Sequence, residues 1–276
     1  MKCLTMCGGG VFGIVQARIL DKVDTKKFDF FAGTSIGAVN AAVCALELDI
    51  DATPFFHEEM PKIFKGQCFR RFKPIAPRYS DKELNFAIRK IFEDYKLGDA
   101  KKPLFITAIN IHTKRLKVFD STDPSDASLP LWHVLRSATA AETYINPWNG
   151  LSDGGVLAND PSMVAIAAGC NKLDIDINDL ELCTLGTGKE NSKAKLNVLR
   201  TCSLVSWALW LLKALLNGAS SSMHEYFARS LPLKKYTKIE FVRNPKWNMD
   251  SAKDMFKAEL AWENDIQKAI KTVSEF

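Results

Sequence analysis

The chain has 276 residues, with 37 Lys plus Arg against 32 Asp plus Glu, for a net charge of +5. Hydrophobic residues make up 47% and charged residues 25%, an ordinary globular balance. This excludes intrinsic disorder, collagen-like repeats and coiled coil as the main organisation, and a chain this long can bury a large core without staples.

In chain order, Lys2–Met6 reads as a short buried strand. Gly8-Gly9-Gly10-Val11-Phe12-Gly13 is a tight turn, and a helix is expected from there to about Val23. Phe28–Ala32 is a second apolar strand, followed at once by Gly33-Thr34-Ser35-Ile36-Gly37 and an Ala-rich helix to about Leu48. Strand, turn and helix twice in fifty residues predict an α/β fold with a parallel sheet. Residues 60 to 80 carry Lys62, Lys65, Arg70, Arg71, Lys73 and Arg78 with no acid, interleaved with aromatic residues and prolines. Ser80 and Glu83 read as a capping box opening a helix to about Tyr95. Leu104–Asn110 and Arg115–Phe119 read as strands joined by a short turn, and Leu131–Ala141 as a helix. Ser152-Asp153-Gly154-Gly155 is a turn, and Asp160-Pro161 is an N-cap opening a helix to about Ala168. Leu180–Leu185 is a strand ending in Gly186-Thr187-Gly188. Two helical stretches, a strand at about Lys238–Val242 and a C-terminal helix complete the chain.

Seven cysteines (3, 7, 44, 68, 170, 183, 202) form no C-x-x-C pair, so no metal site is expected, and the reading is free thiols in a reducing compartment. Met1–Val15 lacks the pattern of a signal peptide. The most apolar run, Leu204–Leu216, would reach roughly 20 Å as a helix against a hydrocarbon core of about 30 Å. No spanning helix is therefore expected, and the location read from the sequence is cytoplasmic. With Trp207 and Trp210, that run reads first as a buried core helix and second as a lipid-facing one. The Lys62–Arg78 segment is a candidate for peripheral contact with anionic membrane, and nucleic acid is not an expected partner.

Gly8-x-Gly10-x-x-Gly13 matches a dinucleotide fingerprint, but such a unit needs an acid at the exit of its second strand, and Asp29 lies inside that strand. Consecutive glycines at a helix start instead let backbone amides converge on an anion, either a phosphate or a transient oxyanion. Gly33-Thr34-Ser35-Ile36-Gly37 is G-x-S-x-G between a strand and a helix, the setting of a nucleophile elbow, with Gly33 and Gly37 permitting the sharp turn. A serine hydroxyl needs a base. His224 follows the apolar run without the loop setting of a triad histidine. Asp153, in a turn opened by Gly154 and Gly155, is the better candidate, though Asp-Gly by default merely makes a turn.

Together these motifs resemble the patatin-like phospholipases: Gly8-Gly9-Gly10-x-x-Gly13, Gly33-x-Ser35-x-Gly37 and Asp153-Gly154-Gly155 stand in the family's order. Ser137–Tyr144 is similar to its small-residue segment, Asn159-Asp160-Pro161 to its Asn-Asn-Pro, and Leu185-Gly186-Thr187-Gly188 to its strand end. The resemblance covers about residues 2–240. It implies a three-layer α/β/α fold with a mostly parallel central sheet. It also implies a single domain over 1–276, with a helical part from about 245 to 276. It further implies a Ser35–Asp153 dyad, an oxyanion hole from Gly8, Gly9 and Gly10 (chiefly Gly9 and Gly10), no metal or other cofactor, and hydrolysis of acyl esters in phospholipids or other acyl lipids. Cys7, Phe12 and Glu142 depart from the pattern, which usually has Asp or Ser, Arg or Lys, and Pro at those places. These departures motivate a second expectation, a non-catalytic lipid-binding protein on the same scaffold.

Overall fold

Strands that are apolar on both sides need helices on both faces, and the chain supplies them in alternation. The computed structural model describes residues 1–65, 77–190, 207, 210, 211, 214, 215, 218 and 220–276. The elements begin with β1 (Lys2–Met6), a 3-10 turn (Gly10–Gly13), α1 (Ile14–Leu20), β2 (Phe30–Thr34), α2 (Ile36–Ala45), α3 (Ala52–Ile63) and α4 (Lys82–Phe92). There follow β3 (Leu104–Asn110), β4 (Arg115–Asp120), α5 (Pro124–Ala127), α6 (Leu131–Ala138), β5 (Leu151–Asp153), α7 (Gly155–Ala158) and α8 (Ser162–Lys172). Then come β6 (Glu181–Leu185), β7 (Lys189–Glu190), α9 (Ser220–Ser230), β8 (Lys235–Ile239), β9 (Val242–Arg243), α10 (Ala252–Ala261) and α11 (Glu263–Ser274).

The main sheet runs β4-β3-β2-β1-β6-β8, with β5 also on β3. The β1–β2, β1–β6, β2–β3 and β6–β8 pairs are parallel, whereas β4 and β5 run antiparallel to β3. Side chains alternate across the pleat. Leu4, Met6 and Phe31 enter a large core with α1, α2 and α4, while Cys3, Phe30 and Leu182 enter a smaller one under α8. The fold is thus α/β in three layers with a mostly parallel central sheet. Strand order reverses at β1, between β2 and β6, and the crevice beyond the carboxyl ends there is the place where such sheets bind ligands.

Several expectations change. The strand expected at Lys238–Val242 is β8, three residues earlier, because Lys235–Ile239 pairs with Glu181–Leu185; Val242–Arg243 then pairs with β7. No capping box forms at Ser80 and Glu83: Asp81 is already helical, and Ser80 Oγ accepts only from Lys82 N at 3.3 Å. Asp160 stands one residue farther back than an N-cap, and its Oδ1 accepts from Ser162 N at 2.9 Å. The C-terminal helix is two helices, whose Glu259 and Glu263 pair with Arg18 of α1. α3 is not among the expected elements, since Pro54 and Pro61 interrupt its pattern and its start is capped from afar: Asp21 accepts from Ala52 N and Thr53 N. Of Leu204–Leu216, Trp207, Trp210 and Leu211 are exposed, which counters the buried-core reading at those positions. Most of that run, and residues 66–76 of the basic segment, lie outside the described residues. Among the described residues, no helix is long and apolar enough to cross a membrane.

Candidate active site

β2 ends where Thr34 pairs with Thr107 of β3. β5 approaches the same edge of β3 from the opposite direction and ends where Asp153 pairs with Ala108. The other edge of β3 is covered by β4 from Phe105 to Asn110, so β2 and β5 share one edge and meet end to end. This places the residue after Thr34 against Asp153. Ser35 Oγ donates to Asp153 Oδ2 at 2.5 Å.

The backbone at Ser35 carries the turn, with φ +55° and ψ −127°. A non-glycine residue held there stores on the order of 1–3 kcal/mol, a strain that must be fixed by its surroundings. The fixing is visible on both sides. Ala38 N donates to Ser35 O at 2.9 Å, and Thr34 Oγ1 donates to Ala158 O at 2.6 Å. A Cβ at Gly37 would stand 2.2 Å from the Met6 carbonyl oxygen, so only glycine lets α2 start this close to β1. Gly33 packs equally tightly under Ala38.

Asp153 is 2% exposed. Its second oxygen, Oδ1, accepts from Gly155 N at 2.8 Å, and Gly154 lies against Thr107. Burial pushes the Asp153 carboxyl up to about 7, the Glu142 charge adds to that, and the bonds from Ser35 and Gly155 oppose it. A carboxylate in this setting is a far stronger proton acceptor than an exposed aspartate.

Ser35 and Asp153 line a cavity walled by Phe55, Met60, Ile63, Leu84 and Ile88 of α3 and α4. The walls are apolar. Gly9 and Gly10 line the same cavity beside Ser35. Gly8 does not offer its amide there: Gly8 N donates to Asn159 O at 3.0 Å. Of the three glycines expected to donate, Gly8 thus has its amide already engaged, while Gly9 and Gly10 line the cavity. Gly10 sits at φ +58°, and a Cβ on it would come 2.2 Å from the Met249 carbonyl oxygen, which also accepts from Val11 N at 2.8 Å. The segment before α10 thus closes the glycine turn, a partner that nothing in the local sequence signals.

His224 takes no part in this cluster. It is buried on α9, and its Nδ1 is bonded to the Asp160 carbonyl oxygen at 2.5 Å. Asp160 in turn meets Lys238 Nζ at 2.6 Å, both side chains being essentially unexposed. This ion pair steadies the residue next to Asn159, which holds Gly8.

The three departures have structural explanations. Cys7 is buried, and burial keeps its thiol protonated. Phe12 is fully buried against Trp247 and Trp262, with the Arg243 guanidinium 5.2 Å from its ring centre. Glu142 Oε1 accepts from Ser152 Oγ at 2.8 Å. Of the basic segment, Lys62 pairs with Glu59 and Arg78 with Asp250, which also accepts from Tyr79 OH.

A doubly wound α/β sheet with a serine on a strained strand-to-helix turn, an aspartate against it and a glycine turn beside both defines a class of fold and site. Residues 4–166 match the family model described as Patatin-like phospholipase. The chain belongs to the patatin-like phospholipase family. Patatin-like protein 4 of Arabidopsis thaliana is 29% identical, over 64% of this chain and 54% of its own length. Patatin-B1 of Solanum tuberosum is 24% identical, over 87% of this chain and 74% of its own. Probable inactive patatin-3-Kuras 1 of Solanum tuberosum is also 24% identical, over 81% and 72%. VipD from Legionella pneumophila aligns over 97% of this chain and 67% of its own, at 14% identity and a TM-score of 0.44. The chain spans about half the length of the first of these relatives.

Proposed function

We propose that this chain is a serine acyl hydrolase that cleaves ester bonds of membrane phospholipids through a Ser35–Asp153 dyad. The observation that carries the reading is the 2.5 Å bond between Ser35 and Asp153 at the mouth of an apolar cavity. Ser35 Oγ attacks the ester carbonyl carbon as its proton passes to Asp153 Oδ2. The carbonyl oxygen becomes an oxyanion and is held by the Gly9 and Gly10 amides. Collapse breaks the bond to the lysolipid oxygen, which takes the proton back from Asp153. Water then attacks the acyl-Ser35 ester with Asp153 accepting its proton; collapse breaks the bond to Ser35 Oγ, which takes that proton back from Asp153, and a fatty acid leaves. The acyl chain lies between α3 and α4, and the chemistry calls on no metal or cofactor. The basic residues of Lys62–Arg78 are proposed to meet anionic headgroups at a cytoplasmic membrane face.

The test is mass spectrometry of products from a mixed-phospholipid vesicle. Wild type should release fatty acid and lysophospholipid, and Ser35→Ala should release neither. Equal product from both proteins overturns the reading.

A second reading, lipid binding without hydrolysis, is favoured by Phe12, an apolar residue where a basic one is usual, and by relatives named as inactive. Vesicle binding without product from wild type would select it.

A further inference from the structure

Glu142 lies next to this site. Its Oε1 is anchored by the Ser152 hydroxyl at 2.8 Å, one residue before Asp153. Its Oε2 is buried with no hydrogen-bond partner among the described residues. The backbone ties the two acidic residues together, since Asp153 N donates to Ala140 O at 3.1 Å, two residues before Glu142. A carboxylate oxygen withdrawn from water and left unbonded is costly. Its consequence is electrostatic: a second carboxyl, hydrogen-bonded to the residue before Asp153, adds negative charge to the surroundings of that acid.

We propose that Glu142 is a positioning residue for the base: anchored through Ser152, its carboxylate sets the pH at which Asp153 can take the Ser35 proton. The proposal rests on the Ser35–Asp153 reading above. Two like charges in a dry site disfavour joint ionisation, so the pair titrates as a unit and Asp153 holds its proton to higher pH. The other groups around Asp153 do not replace this effect. Ser35 and the Gly155 amide favour the ionised form. Thr107, from β3, carries no charge. Asp250 lines the cavity, but its charge is held by Arg78 and Tyr79. Tyr144 also lines the cavity, and burial keeps its phenol protonated. No lysine, arginine or histidine among the described residues lines the cavity. Burial raises Glu142 as well, so both carboxyls belong to one coupled titration.

The experiment is the pH dependence of fluorophosphonate labelling, with p-nitrophenyl ester hydrolysis beside it, for wild type, Glu142→Gln and Glu142→Ala. Glutamine keeps an acceptor for Ser152 and removes the charge. The acid limb of Glu142→Gln should move to lower pH, raising its rate at pH 6 roughly threefold or more, with the plateau above pH 8 unchanged. Glu142→Ala should move the limb in the same direction and serves if the glutamine variant does not fold. A limb that stays in place in a folded variant overturns the proposal, as does a uniform loss at every pH, which marks a purely structural residue. Neither result touches the dyad. Wild type that fails to label at any pH removes the Ser35–Asp153 reading itself and this proposal with it.

Discussion

Thr34 and Asp153 occupy successive steps on one edge of β3, opposite Thr107 and Ala108. Strand register, and not a loop excursion, therefore brings Ser35 within 2.5 Å of an aspartate 118 positions away. A site built on paired strands is held more firmly than one built on loops.

Ser35→Ala and Asp153→Asn are each expected to lower ester hydrolysis by at least about 10³-fold while the protein stays folded. The check is steady-state kinetics on a soluble ester, with circular dichroism to establish the fold. A residual rate within tenfold of wild type in Asp153→Asn would remove Asp153 as the base.

Activity should rise with pH and level off above neutrality, because the base works only when ionised and burial pushes Asp153 up to about 7. Stability should run the other way. The folded carboxyl holds its proton more tightly than the unfolded one, so its favourable contribution is complete below about pH 4 and is lost as pH rises to about 7. Asp153→Asn should therefore match wild type at pH 3 and exceed it at pH 8, by an amount on the order of a few kcal/mol. Urea unfolding at the two pH values measures the difference, and a deficit at pH 8 would contradict it.

Gly10→Ala forces a Cβ onto the Met249 carbonyl and a side chain into φ +58°. The glycine turn must shift, displacing an amide from the place of the oxyanion. The expected cost is about 10²–10³ in kcat with a smaller change in KM.

Lys238→Met leaves Asp160 buried without its partner. The expected loss is about 3–5 kcal/mol in chemical unfolding. Activity should fall too, because Asn159, the next residue, holds Gly8. A change below about 1 kcal/mol would show that Asp160 finds another partner.

The elements around β1, β2 and β3 were readable because their signals are local: apolar runs, glycine turns and an Ala-rich helix. Ser35 was readable for the same reason, since a nucleophile elbow is five consecutive residues. Asp153 was not readable from spacing, because Asp-Gly is an ordinary turn; the resemblance pointed to it, and the pairing of β5 with β3 explains its position. α3 escaped because Asp21 caps it from thirty-one residues away. The apolar character of Leu204–Leu216 suggested burial, yet Trp207, Trp210 and Leu211 face solvent. A run of glycines cannot disclose that the Gly8 amide is bonded to Asn159.

The most direct measurement is mass spectrometry of the folded protein after a fluorophosphonate, with peptide mapping of the adduct. One adduct on Ser35, at a rate that collapses in Asp153→Asn, is the predicted result. Wild-type protein that remains unmodified, or that carries the adduct on another residue, would contradict the account.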